Sequence, residues 1–277
     1  MKLQYTKPLL ALALGLSLCV GGTPARAQDA PSEPVHEVPL LQKAGLINLD
    51  TPAFPAPHSA IFNFDARIFG GSEELTYLNA GVQVGLSSNL AGILRLGGVN
   101  RRYHVEGRRG VMHGGQEVEV AGKLRLHNVR DFGISVQGGV IFPNTPTERS
   151  PFLAAEVMFT RDLGEKTSLY LVPKVLFASR ELITLGGGVS YRLNGQWMVM
   201  GDVQGVLSGS NTFHLPVGQR VRQEVWGVGF RYTPMAYGGR YGLDFGVTNG
   251  LGRTLGLSAQ SALSGSSSFY LNLTYHH

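Results

Sequence analysis

From Ser59 onward the chain alternates between apolar and polar residues. Phe62, Phe64, Ala66 and Ile68 share one parity, and Asn63, Asp65 and Arg67 share the other. Successive side chains of a strand point to opposite faces, so this spacing predicts a strand with one apolar and one polar side. Leu78, Ala80, Val82 and Val84 against Asn79 and Gln83 repeat the pattern, and so does Leu90 to Val99, where Arg95 sits between Leu94 and Leu96. The clearest case is Gln116 to Leu126, with Val118, Val120, Gly122, Leu124 and Leu126 opposite Glu117, Glu119, Lys123 and Arg125. Further strands are predicted at Phe132 to Val140, Phe152 to Arg161, Ser168 to Phe177, Thr184 to Arg192, Trp197 to Val206, Gln223 to Tyr232, Tyr241 to Thr248 and Ser268 to His276, making twelve. A slip of one residue would turn every side chain to the other face, so an apolar face kept through all twelve implies two different solvents.

The connections alternate as well. Residues 87–89, 127–131, 162–167, 193–196 and 233–240 are short links, whereas 100–115, 141–150, 178–183, 207–222 and 249–267 are mostly longer and rich in Gly, Ser or charge. That rhythm predicts an up-and-down antiparallel order with short turns at one end and long loops at the other. Phe132, Phe159, Tyr191, Trp197, Tyr232, Tyr241 and Tyr275 all fall near the short-turn ends of their strands. Such an aromatic girdle is what a membrane interface favours.

The start of the chain explains how it would reach a membrane. Lys2 and Lys7, the apolar run Leu9 to Val20 and the small residues around Arg26 form a signal peptide over residues 1–27, expected to be cleaved after Ala27. That run is too short to cross a bilayer as a helix, and no later stretch is longer, so only strands could span it. Cys19 is preceded by the bulky Leu18, which argues against lipoprotein processing. Losing the three basic residues of the signal lowers the formal charge from +5 to +2, so the basic balance is no argument for nucleic acid. Residues 28–57, rich in Pro and Ala, read as a periplasmic extension or a plug, and 58–277 as the barrel.

With its even strand number, alternating faces and export signal, the chain from about Ser59 to its end resembles the bacterial outer-membrane β-barrel class. Phe269, Leu271, Leu273 and Tyr275 are similar to the alternating C-terminal insertion signal of that class, and His277 stands where the signal usually has an aromatic residue. The resemblance implies an all-β antiparallel transmembrane barrel with periplasmic termini in the outer membrane. It also implies outer-membrane lipid, lipopolysaccharide and the assembly machinery as partners.

The polar faces supply the candidate chemistry. Asp65, Arg67, Arg95, Lys123, Arg125, Glu156, Lys174, Arg192, Asp202, Arg231 and Asp244 are expected to face the lumen, with Glu117 and Glu119 beside them. They could line a polar pore that selects solutes, or pair with one another and fill a narrow barrel. A barrel of twelve strands lies between filled and open sizes, so both readings stand. Arg101, Arg102, Arg108 and Arg109 cluster in a predicted loop, where guanidinium forks suit lipopolysaccharide phosphates or anionic solutes. Gly186 to Gly188 and Pro173 interrupt strand chemistry and are expected to mark a bulge or weak seam. No Gly-x-Ser-x-Gly elbow, His-Glu-x-x-His motif or phosphate loop is present, and no histidine sits at facing distance from a serine in a strand. The expected function is therefore a passive, porin-like channel for small hydrophilic solutes, not an enzyme, with no cofactor or metal. The alternatives are a structural or surface-interaction barrel acting through its arginine loop and, less favoured, a lipid-modifying enzyme.

Overall fold

Alternation with a period of two does close the chain into a barrel. The computed structural model describes residues 45–69, 74–105, 108–129, 131–144, 150–178, 181–211, 222–235, 238–260 and 267–277. Twelve strands run β1 (Ala60–Phe69), β2 (Glu74–Gly85), β3 (Leu90–Val105), β4 (Arg108–Val129), β5 (Phe132–Asn144) and β6 (Phe152–Leu163). They continue with β7 (Thr167–Phe177), β8 (Glu181–Arg192), β9 (Trp197–Ser208), β10 (Val225–Tyr232), β11 (Tyr241–Thr248) and β12 (Ser268–His276). Each pairs antiparallel with its sequence neighbours, and β1 closes the sheet on β12 through pairs such as Phe64 with Leu273 and Arg67 with Tyr270. Closure leaves no free edge, which a lipid-embedded sheet requires because no water is there to satisfy an open one.

The two faces separate as the alternation predicts. Phe62, Phe64, Ile68, Leu94, Leu96, Val120, Leu124, Leu171 and Phe230 are exposed on the outside, while Asp65, Arg67, Glu119, Lys123, Glu156 and Asp244 are buried inside. Trp197 meets Tyr232 with ring centroids 4.8 Å apart, and Tyr241 meets Tyr275 at 5.0 Å, at the short-turn end. These aromatic pairs form part of the expected girdle.

Three sequence expectations change. The stretch 100–115 is not a loop, because β3 and β4 continue into it as a long hairpin, with Arg101 opposite Met112, Arg102 opposite Val111 and His104 opposite Arg109. Valines and aromatics interleaved with the arginines favour extended pairing there. Gly186 to Gly188 do not break β8, which pairs continuously through them on both sides. The irregularity in β8 lies earlier, between Ile183 and Thr184. Pro173 does mark a gap, since β6 and β7 pair at Glu156 with Lys174 and again at Phe159 with Leu171 but not between. Proline has no N–H to donate to the ladder.

The third change concerns the connection from β11 to β12. It was expected to face outward, yet Gly250, Leu251, Gly252 and Thr254 to Gln260 are buried inside the barrel, with one turn of 3-10 helix at Leu257–Ala259. Its leucines explain this. Leu255 and Ala259 join a cluster with Ile141, Phe152, Leu176 and Leu182, and Leu251 and Leu257 join Phe69 and Tyr77. Apolar side chains on an outward loop would lose that burial, worth roughly 1.5–3 kcal/mol for each large one.

Candidate functional site in the barrel lumen

The lumen holds two inserts that come from opposite ends. Gly45 to Phe54, just ahead of β1, enters from the end that carries the chain terminus and the short turns. Gly250 to Gln260 enters from the long-loop end. They meet near the middle, where the Arg253 guanidinium donates to the carbonyl of Leu46; beside that contact the hydroxyl of Thr248, at the end of β11, donates to Asn48 Oδ1 at 3.1 Å.

Leu46, Ile47, Asn48 and Leu49 are almost fully buried, and the apolar three pack with Met158, Tyr170, Val172, Met200 and Tyr270. Space for them comes from missing side chains on the wall. A methyl group added to Gly186 would lie 2.6 Å from Leu49 Cδ2, one on Gly227 2.8 Å from Ile47 Cγ2, and one on Gly188 would collide with Leu46 Cδ1. The glycine run of β8 is thus part of the bed on which the segment lies.

Polar contacts fix the segment along its length. Asp202 accepts from the backbone N–H groups of Ile47 and Asn48 at 2.8 and 2.9 Å and from Asn48 Nδ2 at 2.7 Å. Arg67 donates to Asn48 Oδ1 at 2.7 Å and to the Ile47 carbonyl at 2.9 Å. Arg95 pairs with Asp50 at 2.8 Å. Lys123 donates to the carbonyls of Thr51 and Ala53, the latter at 2.9 Å, and Arg125 lies over the Phe54 ring at 4.6 Å. Burial alone would raise the Asp50 carboxyl, but Arg95, Lys123 and Arg253 overcome it and hold the group well below the usual carboxylate range.

The second insert is held by wall groups of both signs. Thr254 Oγ1 donates to Glu117 at 2.9 Å, and the Leu255 N–H donates to Glu119 at 2.8 Å. Arg95 donates to the Arg253 carbonyl at 3.0 Å and touches Glu119 at 3.5 Å, so one guanidinium joins both inserts to the wall. Lys174 donates to Ser258 Oγ.

Inward charges also pair with one another, within β1 and across neighbouring strands. Arg67 lies 3.2 Å from Asp65, Lys174 3.1 Å from Glu156, and Arg231 2.6 Å from Asp244. Asp244 also accepts from Asn272 at 2.9 Å and from the Tyr270 hydroxyl at 3.2 Å. The structure therefore places Asp65, Arg67, Arg95, Lys123, Arg125 and Asp202 around the first insert, and Arg231 and Asp244 in a separate pair. Lys174 and Glu156 lie beside the second insert, and Arg192 is half-buried at the end of β8. Arg101, Arg102, Arg108 and Arg109 lie in the strands of the long hairpin, and their side chains are outside the described residues.

Sequence reasoning on the strands could not find Asp50, Asn48 and Arg253, which lie off the strands. Asn48 and Asp50 stand within an otherwise apolar Leu46-Ile47-x-Leu49 run, and Arg253 within a glycine- and leucine-rich loop. Both are the signal of a segment that is buried but anchored.

Among the described residues, cavities border the first insert. One of about 40 Å³ lies between the segment and the wall, bordered by Asp50, Arg95, Lys123, Arg253 and Gln83. Another of about 180 Å³ lies at the short-turn end beside Pro52, Phe54, Arg125, Phe132 and Thr160.

No family model and no curated protein matches the sequence. Among solved structures the chain is similar to the NanC porin, at 9% identity and a TM-score of 0.52 over 77% of this chain and 98% of that one. It is also similar to the KdgM porin, at 12% identity and a TM-score of 0.47 over 77% and 98% of the two chains. An outer-membrane channel from Pseudomonas putida F1 aligns at 14% identity and a TM-score of 0.47 over 81% and 96%. The NanC likeness and the closed order of strands agree on the architecture: the chain is a twelve-stranded antiparallel barrel with the fold of outer-membrane porins.

Proposed function

We propose that the protein is a porin-like outer-membrane channel for small hydrophilic solutes whose lumen is closed by its own segment Gly45 to Phe54. The observation that carries this reading is how the segment is attached. It is not part of the sheet, and it is held by side chains of the wall, with glycines leaving room for it, so its departure would break no strand pairing. A barrel meant only as a solid structural element could fill its interior from its own strands, as smaller barrels do. Export through a cleaved signal, an orientation with both termini in the periplasm and contact of Arg101, Arg102, Arg108 and Arg109 with lipopolysaccharide phosphates complete the proposal.

A second reading, a non-transporting barrel, is favoured by one observation, the second insert with its own anchors at Glu117 and Glu119. Conductance in planar bilayers separates the two. The full chain is expected to open rarely and a variant lacking residues 28–53 to conduct steadily. Silence in both, with the heat-modifiable mobility of a folded barrel retained, would establish the second reading.

A further inference from the structure

The barrel wall and the second insert meet the first insert mainly with cations. The segment from Leu46 to Ala53 presents oxygens almost throughout, namely the carbonyls of Leu46, Ile47, Thr51 and Ala53, the Asn48 amide oxygen and the Asp50 carboxylate. Four cations receive them: Arg253, Arg67, Arg95 and Lys123. Asp202 is the one acid seen to hold the segment among the described residues. Arg67 and Arg95 also have wall acids of their own, Asp65 and Glu119, although the second contact is long at 3.5 Å. Among the described residues, Lys123, Arg125 and Arg253 face the oxygens and rings of the inserts and form no ion pair with a wall acid. A cation taken from water and left without a partner is costly, so a lumen emptied of the segment needs another source of oxygens.

We infer that Asp50 stands in for the carboxylate of an anionic solute, and that such a solute competes with Asp50 for Arg95 and with the segment's carbonyls for Lys123 and Arg253, and so releases the segment that closes the channel. This rests on the channel reading and names its solute class. Arg95 supports it by geometry, since its fork bonds a carboxylate at 2.8 Å on one side while its other nitrogen holds the Arg253 carbonyl. Guanidinium forks suit carboxylates for this reason. The cavity of about 40 Å³ beside Asp50 supports it by access, because it is bordered by the same three cations and by the Gln83 amide, whose nitrogen is buried without a hydrogen-bond partner. Space for a water-sized group is enough for a competing carboxylate oxygen to arrive before Asp50 has left. One group then serves as cargo and as the signal that opens the path.

The test uses the chain from residue 28 onward, which has no cysteine of its own, with Leu49→Cys, since Leu49 is buried against Gly186 and its replacement can react with a maleimide only when the segment leaves. Succinate, putrescine and sodium chloride are compared at equal ionic strength, with conductance recorded on the same preparations. Succinate is expected to raise the labelling rate about tenfold, a population shift of that factor, while putrescine and chloride do not. Asp50→Asn is expected to lower the succinate concentration needed for half of the effect, because no carboxylate then competes. Equal acceleration by succinate and putrescine would reduce the effect to screening and overturn the inference, as would no acceleration by either. If labelling replies to succinate but no current flows, the channel reading fails and the carboxylate site stands. If current flows and labelling ignores succinate, the channel stands and the site does not.

Discussion

The Asp202 carboxylate in β9 accepts three hydrogen bonds from Ile47 and Asn48, residues more than 150 positions earlier in the chain. This acid satisfies the backbone N–H groups of Ile47 and Asn48 inside the barrel. Its removal leaves those donors buried without an acceptor, at about 1–3 kcal/mol for each group.

Asp202→Ala is therefore expected to weaken the seat of the segment without opening the sheet, because the backbone of β9 stays paired with β8 and β10. Each 1.4 kcal/mol changes an equilibrium about tenfold, so the open fraction should rise by at least about that factor. Single-channel recording checks this. An unchanged open fraction would show that the segment is not what closes the lumen.

The pH dependence of the Asp50 contact follows from the sign of its shift. The carboxyl is held below its ordinary range in the seated segment and returns to it, near pH 4, in a released and solvated one. The ion pair therefore contributes fully above the ordinary value and is lost only as the pH falls through the lowered one. The difference in open fraction between wild type and Asp50→Asn should stay constant from about pH 7 to about pH 4. A difference that vanishes between pH 6 and pH 4, measured by bilayer recording, would contradict the Arg95 pairing.

Thr254 tests the second insert. Its hydroxyl donates to Glu117 and accepts from the Leu257 N–H at 3.1 Å, so it holds the loop to β4 and also shapes its turn. Thr254→Val keeps the shape but removes both bonds. The expected result is faster cleavage of the 250–260 loop by an added protease, with barrel mobility on gels retained. Equal cleavage rates would mean that the leucine contacts alone hold the loop inside.

The barrel was legible because lipid and lumen impose a two-residue period on every strand, and Leu-Arg-Leu around Arg95 admits no other arrangement. The contents of the lumen were not. Arg67, Arg95, Lys123 and Asp202 could be placed on the inner face from parity, but parity does not say whether water, another strand or an incoming segment meets them. That depends on chain far away in sequence, such as Asn48 and Arg253. The glycines of β8 showed the difficulty most clearly, since an absent side chain weakens a strand by propensity yet here makes room for Leu46 and Leu49.

That last point gives the most direct test of the closed lumen. Gly188→Leu places a side chain where Leu46 lies, and the wall cannot yield because β8 is paired on both sides at that residue. The segment, joined to the wall by side-chain contacts and not by strand pairing, must give way, so it should be displaced and the full chain should conduct steadily. Gly122→Val is the matched control, since Gly122 faces outward with nothing within 4 Å of an added methyl, and it should leave conductance as in wild type. The variants differ in face, so a bilayer recording separates lost closure from general damage to the sheet. Steady current in Gly188→Leu alone assigns the closure to the segment, and silence in both with folded barrels would remove the segment from any role in gating.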